Sequence, residues 1–179
     1  MKFSSLIILS PLVYAVHHFE EHIIFNFREW RLKYFLDNNQ FSTEEMLIRL
    51  MIMSLVLIFF YTVRQNRASA HLVLFFLMTT QVVNAIFHVF FSLWYQDFSP
   101  GTITGVLLYL PINFLIVRAA LQERYLYNFY EAVLLFIAGA IAFTLFELLG
   151  PKLMVFIVLL LPVYYIIMNN LTKNIHYRI

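Results

Sequence analysis

The chain has 179 residues, of which 62% are hydrophobic and 12% charged, and its mean hydropathy is +0.79. Soluble domains carry about 25% charged residues, so the composition excludes a soluble globular protein and implies an integral membrane one. The net charge of +2 makes no case for nucleic acid, which is not an expected partner, and the absence of cysteine excludes disulfides, thiolate catalysis and cysteine-ligated metals.

A spanning helix needs about 20 mainly apolar residues. Candidates lie near 3–25, 46–64, 71–94, 102–121, 129–149 and 152–171. Short connections make sequence neighbours antiparallel, and no repeat or linker divides the chain. The expectation is one all-α domain over 1–179, an integral membrane bundle of about six transmembrane helices in contact with the lipid bilayer.

The first stretch begins after Lys2. Val13-Tyr14-Ala15 imitates a signal-peptide cleavage site, but the charged region before it is a single lysine, so a retained helix is expected. Its end carries His17-His18-Phe19-Glu20-Glu21-His22, where five of six positions are ionisable. A charged side chain at membrane depth costs roughly 2.5 kcal/mol or more, so such residues are rare unless used. At about 100° per residue, His17, Glu20 and Glu21 share one face, which Ser10 and Tyr14 extend. His18 sits at the edge of that face and His22 points away.

The connection over 26–45 holds Phe27, Trp30 and Tyr34 at helical spacing among Arg28, Glu29, Arg31 and Lys33. That pattern fits a helix lying at the headgroups, read as a surface connector rather than a lid. Asp37-Asn38-Asn39-Gln40 is a turn, and Ser42 with Glu45 has capping-box spacing.

The third span carries Gln81, Asn84, His88 and Ser92 on one stripe. Gln81 and Ser92 read as polar glue between helices; His88, ionisable and intramembrane, reads as functional. Ser99-Pro100-Gly101-Thr102 turns into the fourth span, with Thr102 or Thr104 as its cap. Gly105 reads as a close helix contact and Pro111 as a kink. In the fifth span, Ala138-Gly139-Ala140 is a packing seam, and Glu147 is either a catalytic acid or a headgroup-level residue near Lys152. Gly150-Pro151 stops that helix.

His17-x-x-Glu20-Glu21, Asn84-x-x-x-His88 and Pro100-Gly101-Thr102-Ile103-Thr104 together resemble the HXXEE-domain family of small prokaryotic polytopic membrane proteins. The resemblance covers nearly the whole chain. It implies a membrane enzyme of a prokaryotic cell membrane and names no substrate. The Glu-Glu-x-x-x-Arg and Phe-x-x-x-His pairs of intramembrane CAAX proteases are not matched: the first arginine after Glu20-Glu21 is Arg28, and Asn84 stands four before His88.

Antiparallel alternation puts the ends of spans one, three and five on one membrane side, together with the starts of spans two and four. His17, Glu20, Glu21, Asn84, His88, Glu147, Thr104 and Arg49 therefore converge on one cavity. Three readings follow. In the first, a divalent metal (zinc or iron) binds His17, His88 and one of the two carboxylates, with Glu21 assigned as ligand. Nitrogen and carboxylate oxygen donors suit those metals, and three protein ligands leave a position open for chemistry. Glu20 is then the general base, and Asn84 orients His88 or the substrate. Arg49 is the one arginine placed to offset the paired carboxylates. In the second, the same residues work without metal as an acid/base isomerase or hydratase. In the third, the cluster is the proton site of a transporter or binding protein. The substrate is expected to be a lipid or another hydrophobic or amphiphilic small molecule. Lys2, Arg64, Arg67, Arg118, Arg124, Lys173 and Arg178 outnumber the basic residues of the opposite side, which places both termini in the cytoplasm.

Overall fold

Apolar runs become helices where local caps start them and left-handed or extended residues end them. The computed structural model describes residues 1–36, 41–150 and 152–176; the expected turn at 37–40 and Pro151 lie outside the described residues. α1 covers 3–24, α-helical over Phe3–Ile7 and Leu9–Phe19 and π-helical over Glu20–Ile24. α2 is the short helix Phe27–Tyr34, α3 is Thr43–Arg64 and α4 is Arg67–Tyr95. α5 is Thr102–Gln122, α6 is Phe129–Leu149 and α7 is Lys152–His176. Five of these are long and apolar enough to cross a membrane. With α1 beside them they form the expected all-α bundle of about six spans. The chain is a multi-pass membrane protein.

The caps explain the boundaries. Ser42 and Glu45 close the expected capping box at the start of α3. Asn66 with Ser69 does the same for α4, and Asn26 and Asn128 accept backbone N–H groups at the starts of α2 and α6. The start of α5 is different. Gly101 there has φ +98°, and neither Thr102 nor Thr104 caps the helix. Thr102 Oγ1 donates to the Ser99 carbonyl at 2.6 Å, and the Thr104 hydroxyl faces His17. The sequence reading of those threonines as caps is thus corrected: the α5 amides are taken by a carboxylate from α1.

α4 is the central helix. Half of its membrane window is buried, against a third or less in the other spans, and it packs on α3, α5, α6 and α7. Small residues allow these approaches. Gly105 lies against Ala85, and Gly139 of the expected seam lies against Thr79 and Met78. The apolar core fills the half of the bundle near the start of α1, around Phe3, Leu6, Ile7, Leu74, Leu77 and Ile116. The buried polar residues His17, Glu20, Glu21, His88 and Ser99 gather in the other half.

Three π turns interrupt the spans: Glu20–Ile24 in α1, Met78–Val83 in α4 and Gly105–Tyr109 in α5. The last runs into Pro111, which has no N–H to hold a regular turn, so the expected irregularity at Pro111 takes this form. π turns concentrate at functional positions. Each of these adjoins a residue of the polar half: Glu21 lies within the first, Asn84 follows the second and Thr104 precedes the third.

Candidate metal centre

α1, α4 and the turn into α5 bring His17, Glu21 and His88 together. All three are buried, and one donor atom of each lies within 4.8 Å of the others. Nε2 of His17 is 3.3 Å and Nε2 of His88 is 2.9 Å from the same Glu21 oxygen, Oε1. The far ring nitrogens are each held by a hydroxyl: His17 Nδ1 is 2.8 Å from Thr104 Oγ1, and His88 Nδ1 is 2.9 Å from Ser99 Oγ. With Nδ1–H donated to its hydroxyl, each imidazole turns an Nε2 lone pair toward Glu21. His88 Nε2 is buried, and its one polar neighbour among the described contacts is Glu21 Oε1, which meets no hydrogen-bond geometry with it.

Ser99 is itself fixed. Its N–H donates to Ser92 Oγ at 2.9 Å, and Ser92 Oγ is 3.0 Å from Thr102 Oγ1. Ser92, read from the sequence as glue between helices, thus braces the loop that orients His88. Gly101 closes the cluster from one side. A Cβ there would stand 2.8 Å from His17 Cε1 and 3.0 Å from both Glu21 Cγ and His88 Cε1.

Glu20 does not face this cluster. Its Oε1 accepts from Gly101 N and Ile103 N, both at 3.1 Å, and its Oε2 accepts from Thr104 N at 2.6 Å. Those are the unpaired N–H groups of the first turn of α5, where a negative charge also meets the positive end of the helix dipole. The expected general base is therefore a cap. Its charge is met by backbone amides rather than by Arg49, which is exposed and lies over the Phe41 ring at 4.1 Å.

Asn84 lies by His17 rather than His88, with Nδ2 3.0 Å from His17 Nε2. Glu147 accepts from Arg31 at 2.9 and 3.2 Å, which ties α6 to α2; the Lys152 side chain lies outside the described residues. α2 is more than a surface connector. Trp30 is buried, and Phe27 packs 5.1 Å from the His88 ring and 6.0 Å from that of His22. Tyr34 stacks on Tyr95 at 3.9 Å and donates to Asp97 at 2.8 Å, which pushes the Tyr34 phenol above its ordinary range.

Glu21, His18, His22 and Asn84 open onto a cavity of about 220 Å³. Arg31 and Glu147 lie at its polar end, and Phe75, Phe76, Phe143, Phe146 and Leu161 line its apolar part. Sequence reasoning read Ser99 and Gly101 only as a turn and Thr104 as a cap near the cavity, and gave His22 no role. The available signals were the unbroken Ser99-to-Thr104 string and the four-residue spacing of His18 and His22.

No curated protein and no solved structure matches the chain. The family described as proteins of unknown function with an HXXEE motif matches residues 8–116, a stretch holding His17, Glu20, Glu21, Asn84, His88 and Thr104. Those residues are the ones that the fold draws together, and the chain belongs to that HXXEE family.

Proposed function

We propose that the chain is a metal-dependent membrane enzyme whose His17, Glu21 and His88 hold a divalent ion beside a cavity for a hydrophobic or amphiphilic molecule. One observation carries this reading. Two Nε2 atoms and a carboxylate oxygen face one another in a buried space, with no well-aligned hydrogen bond at His88 Nε2. Buried acceptors directed at one another are unfavourable unless a metal ion or a proton lies between them. The donor set of two imidazoles and a carboxylate suits zinc or non-haem iron. The hydroxyl behind each ring is the kind of support that orients metal-ligating histidines.

When bound, such an ion polarises a carbonyl or phosphoryl oxygen of the substrate as a Lewis acid. The residues around it divide the remaining work. The phenylalanine-lined space takes the apolar part of the substrate, and Asn84 offers its amide at the polar end. Phe27 limits water over His88. Glu20 holds the α5 turn, and with it Gly101 and Thr104, against the ligands. Toward the start of α1, Ser10 and Gln81 are followed by buried Leu6, Ile7, Leu74, Leu77 and Ile116. That apolar floor favours an enzyme over a transporter, which needs access from both faces.

Protein purified without chelator, or reloaded with zinc, is expected to carry at least one tightly bound divalent ion per chain by elemental analysis. Background metal in both preparations would overturn the reading. One contact favours metal-free proton transfer instead: if Asn84 donates to His17 Nε2, that lone pair is occupied. Glu21 and His88 would then exchange the proton, and turnover of an identified substrate would survive complete metal removal.

The two adjacent carboxylates should separate cleanly. Glu20→Gln loses the charge that meets three amides, and hydrogen bonds to charged groups contribute about 1.5–3 kcal/mol. It is expected to lower the thermal unfolding temperature in detergent while retaining metal. Glu21→Gln is expected to retain the fold and lose metal. The opposite pattern would reverse their roles.

For orientation we infer cytoplasmic termini, from the excess of lysine and arginine on that side. Single cysteines can be introduced without background because the native chain has none. Leu36→Cys is expected to label from outside intact cells and Arg64→Cys not to label. The reverse result overturns the orientation and leaves the site residues on one common side.

A further inference from the structure

The geometry points to a second divalent-cation site, built from His18, His22 and Glu21, so that the Glu21 carboxylate bridges two ions. The inference rests on the metal reading of the first site and extends it. One donor atom from each of the three residues lies within 4.8 Å of the others. The two oxygens of Glu21 are divided between the sets: Oε1 faces His17 and His88, while Oε2 lies 3.7 Å from His22 Nε2.

His18 and His22 stand one turn apart on α1, with ring centroids 4.5 Å apart. His18 is only 7% exposed, and both rings line the cavity. Among the described residues neither ring makes a hydrogen bond, beyond the loose approach of His22 to Glu21. The buried His71 shows how this fold treats a structural histidine. Its Nδ1 lies 3.0 Å from the Tyr164 hydroxyl and its Nε2 3.0 Å from the Tyr125 carbonyl. His18 has no such partners; its ring nitrogens are not among the fully buried unpartnered atoms, and the ring is presented to the cavity beside His22. A cation between His18 and His22 supplies the missing partner.

Two ions about 3.5–4 Å apart, joined by a carboxylate, form a recurrent layout for clamping the attacking and leaving oxygens of one reaction. A change confined to His18 and His22 leaves all three residues of the first site, His17, Glu21 and His88, untouched. That makes the two sites separable by experiment.

The full chain, solubilised in detergent, is dialysed against Zn(II) and its metal counted by elemental analysis. Wild type is expected to hold about two ions per chain and His18→Gln/His22→Gln about one, with Glu21→Gln losing both. Size-exclusion elution and thermal unfolding report whether each variant is folded. With Co(II), wild type is expected to show the weakened electron paramagnetic resonance of a coupled pair, and the double variant the full signal of an isolated ion. If the double variant does not fold, the wild-type count and the Co(II) spectrum decide the matter. One ion in wild type, or a folded double variant that keeps the wild-type count or binds none, overturns the second site. One ion still bound by His17, Glu21 and His88 preserves the first. No ion in wild type overturns both.

Discussion

His88→Ala is expected to remove metal from the first site, weakening binding by more than about 100-fold, whereas Ser99→Ala weakens it by only about 10–100-fold. The two residues touch at 2.9 Å, but in the proposed site they would act on the ion differently. His88 would supply a donor atom, Nε2, which faces Glu21 Oε1 at 2.9 Å. Ser99 supplies only the direction of the ring and the basicity of that nitrogen. Thr104→Val tests the same role behind His17 and belongs with Ser99→Ala. Zinc affinity measured by competition with a chromophoric chelator ranks the variants, with folding followed by thermal unfolding. Equal losses for His88→Ala and Ser99→Ala would mean that the loop, rather than the imidazole, governs the site.

Gly101→Ala is expected to be the most damaging single-methyl change in the chain. The backbone at this position is left-handed, at φ +98° and ψ −12°, which costs a residue with a side chain about 1–3 kcal/mol. The added carbon would also press on His17, Glu21 and His88 at 2.8–3.0 Å, and such overpacking typically costs another 1–3 kcal/mol. The combined loss of about 2–6 kcal/mol should appear as a lower unfolding temperature in detergent. Metal should be lost with it, because relief requires the ligands to part. Gly105→Ala makes the same chemical change against Ala85, at 3.2–3.3 Å and away from the ligands. It should lower stability less and leave zinc affinity near wild type. A Gly101→Ala protein with unchanged stability and metal content would remove the close approach from the account.

The spans were legible because hydropathy and caps are local properties. Ser42 and Glu45 make one turn's worth of contacts, and the apolar run after them needs no partner to be recognised. Alternating helix direction was enough to bring His17, Glu21 and His88 to one side. Phase within a helix was less legible. A π turn over Glu20–Ile24 depends on what the chain packs against, so a regular wheel placed His22 away from Glu21, although the two approach to 3.7 Å. Glu20 illustrates a second difficulty. Its partners are amides of Gly101, Ile103 and Thr104, which carry no side-chain signature. Adjacent carboxylates look equivalent in a string of letters, yet one meets backbone and the other meets imidazole. The burial of Trp30 and the approach of Phe27 to His88 were hidden similarly, since an amphipathic helix pattern does not say what its apolar face covers.

The placement of Glu20 also bears on how the bundle is made. Helices of a membrane protein are inserted as separate units before they pack, and amides left bare in hydrocarbon cost several kcal/mol each. The first turn of α5 stays incomplete until α1 arrives with its carboxylate. His17 and Glu21 lie on the same helix as Glu20, so the docking that completes the α5 turn also brings them to His88 of α4. A chain in which α1 and α5 have not met therefore has neither a satisfied α5 turn nor an assembled cluster. Late assembly in the membrane and the closing of the His17, Glu21 and His88 cluster become a single event.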